Sequence, residues 1–185
     1  GLIGAMHHIL DGHCDPAGTT MALATAARRA GATISRFNRV TDLTNTADGD
    51  WIVHTEKGDI ICEIVVNAAG LWANRIAQMV NSYLPTVPIE HHHLLFDDLP
   101  EITALDNELI SLRDPDVPYY ARKEGRGLLI GPYESNCKAW SADGVAWDWA
   151  QQELPIDLER IQHYVLKLMD RVPMLKEAGL KHISN

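Results

Sequence analysis

Apolar positions crowd into the stretch Ile60–Ala77, IICEIVVNAAGLWANRIA. Ile60, Ile61 and Cys62, then Ile64, Val65 and Val66, form a nearly continuous run rich in β-branched residues. That pattern predicts a strand covered on both faces, as in a parallel sheet. The run breaks at Asn67-Ala68-Ala69-Gly70 and resumes with helical spacing from about Trp72 to Ser82, with Ile76, Met79 and Val80 on one side. Small residues at the carboxyl end of a strand let another group approach the backbone. The helix that follows turns free N–H groups toward the same spot, which suits a phosphate. An ordinary strand–turn–helix, in which Ala and Gly only permit tight packing, has the same spacing.

The rest of the chain divides around this stretch. Asp15-Pro16 predicts an N-cap followed by proline in the first turn, and Gly31 a C′ residue; TTMALATAARRA between them is an Ala-rich helix suited to close packing, with Arg28 and Arg29 at its negative end. Ala32–Ser35 is expected as a short strand. A meander follows: Val40–Thr44, a turn at Asp48-Gly49, Trp51–Thr55, a turn at Lys57-Gly58, then Asp59–Val66. Pro85 and Pro88 close this part. Beyond them come short strands over Ile89–Phe96, Leu109–Arg113, Tyr119–Lys123 and Gly127–Gly131, with turns at Asp97–Pro100, Asp114-Pro115-Asp116 and Gly125-Arg126-Gly127, the pattern of an antiparallel sheet. A final helix starts near Pro155, keeps Leu158, Ile161, Val165, Leu168 and Val172 in register, and stops at Pro173. The expected fold class is therefore mixed: part of an α/β domain with a meander over residues 1–84, then an antiparallel α+β domain with a long helix over residues 85–185.

Composition narrows the function. The 185 residues are 46% hydrophobic and 22% charged, as in globular proteins. A net charge of −9 excludes the basic footprint that nucleic acid requires. No apolar run approaches the roughly 18–20 residues of a membrane span. Cys14, Cys62 and Cys137 are scattered and lack CxxC spacing, which points to a reducing compartment rather than a disulfide framework. The opening GLIGAMHHILDG lacks both the charged and the apolar segments of a signal peptide and has no initiator Met, so a piece of a longer chain is expected.

Two groups of residues carry candidate chemistry. In Glu90-His91-His92-His93, strand alternation puts His91 and His93 on one face and His92 on the other. A zinc site would need three or four convergent ligands, and nothing in the sequence brings His7, His8, His13 or Cys14 to this strand. Tyr120 and Arg122 share a strand face, and an arginine there can hold a carboxylate with two parallel hydrogen bonds; a solvated sheet face has the same pattern. Trp140, Trp147 and Trp149 in one long loop suggest packing anchors, with ligand stacking as the alternative. There is no G-x-S-x-G elbow, no P-loop and no G-x-G-x-x-G.

Several stretches, in order and across nearly the whole chain, resemble the flavin-dependent dimethylglycine and sarcosine dehydrogenases of the wider D-amino-acid-oxidase-like group. They are Asp11–Pro16 with TMALA after it, Val65–Ala73 (VVNAAGLWA), Glu90-His91, Tyr119–Glu124 (YYARKE), Gly127–Glu134 (GLLIGPYE), Asp143-Gly144-Val145, and Arg171-Val172-Pro173 leading to Ala178–Lys181. The resemblance implies an internal fragment, with part of an FAD-binding domain over 1–84 interleaved with part of a substrate domain over 85–185. It implies FAD as cofactor, with Val40, Asn67, Ala68, Ala69, Gly70 and Trp72 on the cofactor side and His91, His93, Tyr120 and Arg122 on the substrate side. The implied reaction moves hydride from an N-methyl amino acid to flavin, and the resulting imine hydrolyses to formaldehyde or passes to tetrahydrofolate through a further domain. The glycine-rich phosphate motif and the histidine that links flavin covalently in relatives are expected before Gly1. At His93 relatives usually carry tyrosine and at Phe96 often threonine. The expected compartment is the cytoplasm, with the mitochondrial matrix as the alternative. A silent regulatory subunit built on the same motifs is the rival reading.

Overall fold

The computed structural model describes residues 2–106, 109–150 and 152–185. They form two compact units. One comprises Gly31–Glu90 and Cys137–Gln152, the other Gly1–Ala30, His91–Asn136 and Glu153–Asn185.

The first unit is built on the meander. Strands β1 (Val40–Asn45), β2 (Trp51–Thr55) and β3 (Ile60–Cys62) pair antiparallel in that order. Leu43 lies opposite Val53, and Ile52 opposite Ile61. Gly49 and Gly58 make the two turns at φ +94° and +124°, conformations that side-chain-bearing residues resist. The expected long strand ends at Cys62: Ile60, Ile61, Ile64 and Val66 are all exposed. Being β-branched favours extension but supplies no partner, and among the described residues no strand pairs with the outer edge of β3. Ala32–Ser35 likewise forms no strand. After the 3-10 turn Gly70–Trp72, helix α2 covers Ala73–Gln78. Segment 137–152 is tied on by bonds from Glu90 N to Lys138 O (2.9 Å) and from Trp140 N to Pro88 O (2.8 Å), and by the fully buried Val145. Its tryptophans are anchors. Trp140 and Trp149 pack at 4.7 Å between ring centres, and Trp147 lies under the guanidinium groups of Arg75 and Arg39.

The second unit carries a five-stranded antiparallel sheet in the order β5 (Leu112–Asp114), β6 (Tyr119–Glu124), β7 (Gly127–Pro132), β4 (His93–Phe96), β8 (Leu180–Ser184). Helices α3 (Pro100–Thr103) and α4 (Leu158–Arg171) complete it; α3 and β8 go beyond the sequence expectation. Alternation gives the sheet two faces. Leu94, Phe96, Tyr119, Ala121, Leu128 and Ile130 point to a core shared with Ile161 and Leu168 of α4 and with Leu175. The α4 stripe is Ile161, Tyr164 and Leu168, whereas Leu158, first in the expected series, is exposed. Arg171, at the last turn of α4, pairs with Asp114 of β5 at 2.7 Å. Helix α1 (Pro16–Arg29) is capped by Asp15, whose carboxylate accepts from Gly18 N. It buries none of its residues, so the close packing expected of its small side chains has no counterpart among the described residues.

Gly127 marks where β7 comes closest to its neighbour. A Cβ there would collide with the backbone carbonyl oxygens of Phe96 and Asp97, which cannot move without breaking the sheet. Gly127→Ala is expected to destabilise the protein by about 1–3 kcal/mol. Thermal unfolding checks this, and an unchanged melting temperature would show that β7 can shift.

Candidate functional site

The face of the five-stranded sheet opposite α4 carries the candidate chemistry. Register places Arg113 opposite Tyr120, Tyr120 opposite Gly131, and His93 opposite Ser184. The next row along is Arg122, Leu129, Leu95 and His182. Arg122 pairs with Glu124 on its own strand, and His182 with Glu153 at 3.1 Å.

Four rings gather on this face. His91 and His93 meet edge to face at 5.0 Å between centres. His91 stacks on Tyr120 at 6.1 Å and on Tyr133 at 5.8 Å, and Tyr120 meets Tyr133 at 5.5 Å. The Arg113 guanidinium lies 5.9 Å over the Tyr133 ring. Gly131 supplies the floor: a Cβ there would run into the Tyr120 ring, so only glycine lets that ring lie flat across β7.

Burial sets the protonation of the cluster. It pushes His91 below its usual 6.5, while the Glu134 carboxylate pulls the other way and His92 adds to the lowering. His93 is lowered for the same first reason, then by His91, Arg122 and His92. Burial raises the Tyr120 hydroxyl above 10, helped by Tyr133 and opposed by Arg122 and Arg113. Near neutral pH the face therefore presents two uncharged imidazoles and a protonated phenol beside two arginines.

The structure thus brings His91, His93 and Tyr120 together and sets Arg122 one row away on the same face. It turns His92 to the opposite side, where it is completely buried. Tyr133 and Arg113 escaped the sequence reading. Tyr133 continues the alternation of Leu129 and Gly131 past the end of β7, and Arg113 is the cross-strand neighbour of Tyr120, so the first was legible from period two and the second only from register. Among the described residues no group of three or more His, Cys, Asp or Glu side chains is placed to hold a metal ion.

The second candidate region is the turn Asn67–Gly70 in the meander unit. Asn67 holds it: its Nδ2 donates to Ala73 O at 2.9 Å and its Oδ1 accepts from Ala69 N at 3.2 Å. Gly70 sits at φ +55° with open space where a Cβ would be, and Ala68 is exposed. Trp72 donates its indole N–H to Ala146 O at 2.9 Å. A cavity of about 140 Å³ adjoins the turn, lined by Gly70, Leu71, Asn74, Thr86, Pro88 and Gly144 among others. Val40, half-buried at the start of β1, lies opposite Thr55.

Protonation of His91 and His93 is disfavoured in the fold, so below pH 6.5 the unfolded chain binds protons that the folded one refuses. Stability is expected to be unaffected by these groups well above that pH and to decline as pH falls through it. Histidine ring NMR should give midpoints below 6.5 for both; midpoints at or above that value would show that partial burial does not keep these rings uncharged.

Residues 1–183 match the family model described as "FAD dependent oxidoreductase". The chain is 39% identical to the mitochondrial dimethylglycine dehydrogenase of Rattus norvegicus, over all of this chain and 22% of that protein. It is 31% identical to the mitochondrial sarcosine dehydrogenase of Homo sapiens, over 97% of this chain and 20% of that one. It therefore spans about a fifth of the length of these relatives. Among solved structures, L-proline dehydrogenase from P. horikoshii shares the fold at a TM-score of 0.68 and 22% identity, over 92% of this chain and 42% of the other.

Proposed function

The chain belongs to the family of FAD-dependent oxidoreductases, and we propose that it is an internal segment of an enzyme that oxidises an N-methyl amino acid of the dimethylglycine or sarcosine type. The observation that carries this reading is the cluster of the half-buried His91, His93 and Tyr120 with the exposed Tyr133, flanked by Arg113 and Arg122. Bound FAD would supply the acceptor for a hydride leaving the N-methyl carbon.

The side chains of this sheet face prepare such a substrate. An amine loses hydride only with its nitrogen lone pair free, so the ammonium proton must leave first. The uncharged imidazoles of His91 and His93 are suited to accept it. The Tyr120 and Tyr133 rings pack against N-methyl groups, and the Tyr120 hydroxyl can donate a hydrogen bond. Arg122 offers a fork of N–H donors for the carboxylate, exchanging its Glu124 partner for the ligand.

On the cofactor side, the Asn67–Gly70 turn fits a flat ring system. Ala68, Ala69 and Gly70 present small groups, Gly70 adds no Cβ, and Leu71 and Val66 leave exposed apolar surface beside them. Asn67 and Trp72 serve by holding the turn in shape, and the Val40 backbone takes the adenine end. Residues 1–84 then contribute to the FAD-binding domain and residues 85–185 to the substrate domain, the two being interleaved, since Gly1–Ala30 group with the sheet unit and Cys137–Gln152 with the meander unit. The relatives named above are mitochondrial, which supports the mitochondrial matrix as the location.

The full-length protein should be yellow, and colour that stays in an acid-precipitated pellet would mark covalently held flavin. A colourless protein that cannot be loaded with FAD would overturn the enzymatic reading in favour of a silent regulatory subunit. Arg122→Ala in the full-length enzyme is expected to raise KM for an N-methyl amino acid about tenfold, the scale of one charge-assisted hydrogen bond, and to change kcat less. An unchanged KM would remove Arg122 from the carboxylate site.

A further inference from the structure

Beneath the ring cluster, on the α4 side of the sheet, lies a buried polar network that the proposed chemistry does not use. His92 is fully buried, and the side chains of Glu134 and Arg160 are only 1% and 4% exposed. Glu134 Oε1 lies 3.0 Å from His92 Nδ1, and Glu134 Oε2 2.5 Å from Arg160 Nε. His92 Nε2 is 3.1 Å from the backbone N of Asp157, the N-cap of α4. A backbone N–H can only donate, so Nε2 accepts and Nδ1 carries the ring proton, which it gives to Glu134. Arg160 Nη2 lies 3.1 Å from that Nδ1, but both are donors, so no hydrogen bond joins them and the guanidinium meets the carboxylate through its Nε. One residue on, Ser135 N donates to the Tyr164 hydroxyl of α4 at 2.8 Å.

The neighbours of these residues are the cluster itself. His92 sits between His91 and His93, and Glu134 follows Tyr133. The two segments that present His91, His93 and Tyr133 above the sheet are tied to the N-cap and first two turns of α4 below it. Apolar residues would hold a helix to a sheet at least as well, because a buried ion pair pays a desolvation cost that its attraction barely recovers. Apolar contacts lack direction, whereas hydrogen bonds with one allowed tautomer fix both the rotation of the strand and the distance between its neighbours.

We propose that the His92–Glu134–Arg160 network, with the Asp157 N–H and the Tyr164 hydroxyl, is a positioning device that sets the spacing and orientation of His91, His93 and Tyr133 in the substrate site. The role in turnover rests on the function proposed above; the effect on the rings does not. His92 is a positioning residue, acting through its neighbours on the chain.

The test uses the full-length flavoprotein with His92→Leu, which removes both hydrogen bonds at similar volume, and His92→Asn, which keeps a donor toward Glu134. Ring-labelled histidine NMR is followed against pH, and kcat and KM are measured with dimethylglycine and sarcosine. In His92→Leu the His91 and His93 midpoints are expected to rise toward 6.5 as the rings gain water, and kcat to fall tenfold or more with flavin content unchanged. His92→Asn should recover most of both effects. Tyr164→Phe, which buries no new charge, should shift the midpoints in the same direction by less, and it serves where His92→Leu does not fold. Unaltered His91 and His93 titrations in the folded variants would overturn the proposal. Shifted titrations in a protein that turns over neither substrate would uphold the positioning role while overturning the proposed function.

Discussion

Strand alternation over His91–Phe96 is the constraint from which the sheet–helix unit follows. In six residues the chain must put Leu94 and Phe96 into a dry core and leave His91, His93 and Leu95 on the other face. Since the side-chain period is two, a slip of one residue would bury His93 among leucines and expose Phe96. The register with β7 and β8 and the packing of Ile161 and Leu168 from α4 all fix the same choice. Each such aliphatic or aromatic side chain contributes about 1.5–3 kcal/mol by leaving water, so the correct register is strongly favoured.

The same division produces two electrostatic environments on opposite faces of one sheet. Below the sheet, Glu134 and Arg160 form a buried ion pair. Above it, His91 and His93 are half-shielded and kept uncharged by desolvation, with His92 adding to the penalty on both and His91 to that on His93. Glu134 is the link, since its carboxylate acts on His91 through the sheet while its backbone carries Tyr133. The uncharged imidazoles of this face follow from where the strand puts its odd-numbered residues.

Some of this was legible from residue pattern. The Asp15-Pro16 cap, the meander turns at Gly49 and Gly58, the stripe on α4, and the shared face of Tyr120 and Arg122 all follow from spacing and local sterics. The run Ile60–Val66 did not behave as its composition suggests, because burial of a strand depends on neighbours that a local pattern does not contain. Helix α1 makes the same point: its cap and its small residues are local, its burial is not. Strand β8 is short and contains Lys181 and His182, and its pairing with β4 draws on a partner more than eighty residues away in the chain.

The sequence by itself determined the kinds of elements, the alternation that separates His92 from His91 and His93, and the family resemblance carried by stretches such as VVNAAGLWA and YYARKE. These rest on backbone sterics and periodicity, which act within a few residues. Only the tertiary structure decided that Tyr133 joins the two histidines, that Gly131 makes room for Tyr120, and that Glu134 and Arg160 meet His92 in the core. Those contacts join the residue before β4, the segment after β7 and α4 across 42 and 68 positions of sequence. What holds them is cross-strand register and the free energy of excluding water, neither of which exists until the chain has closed on itself.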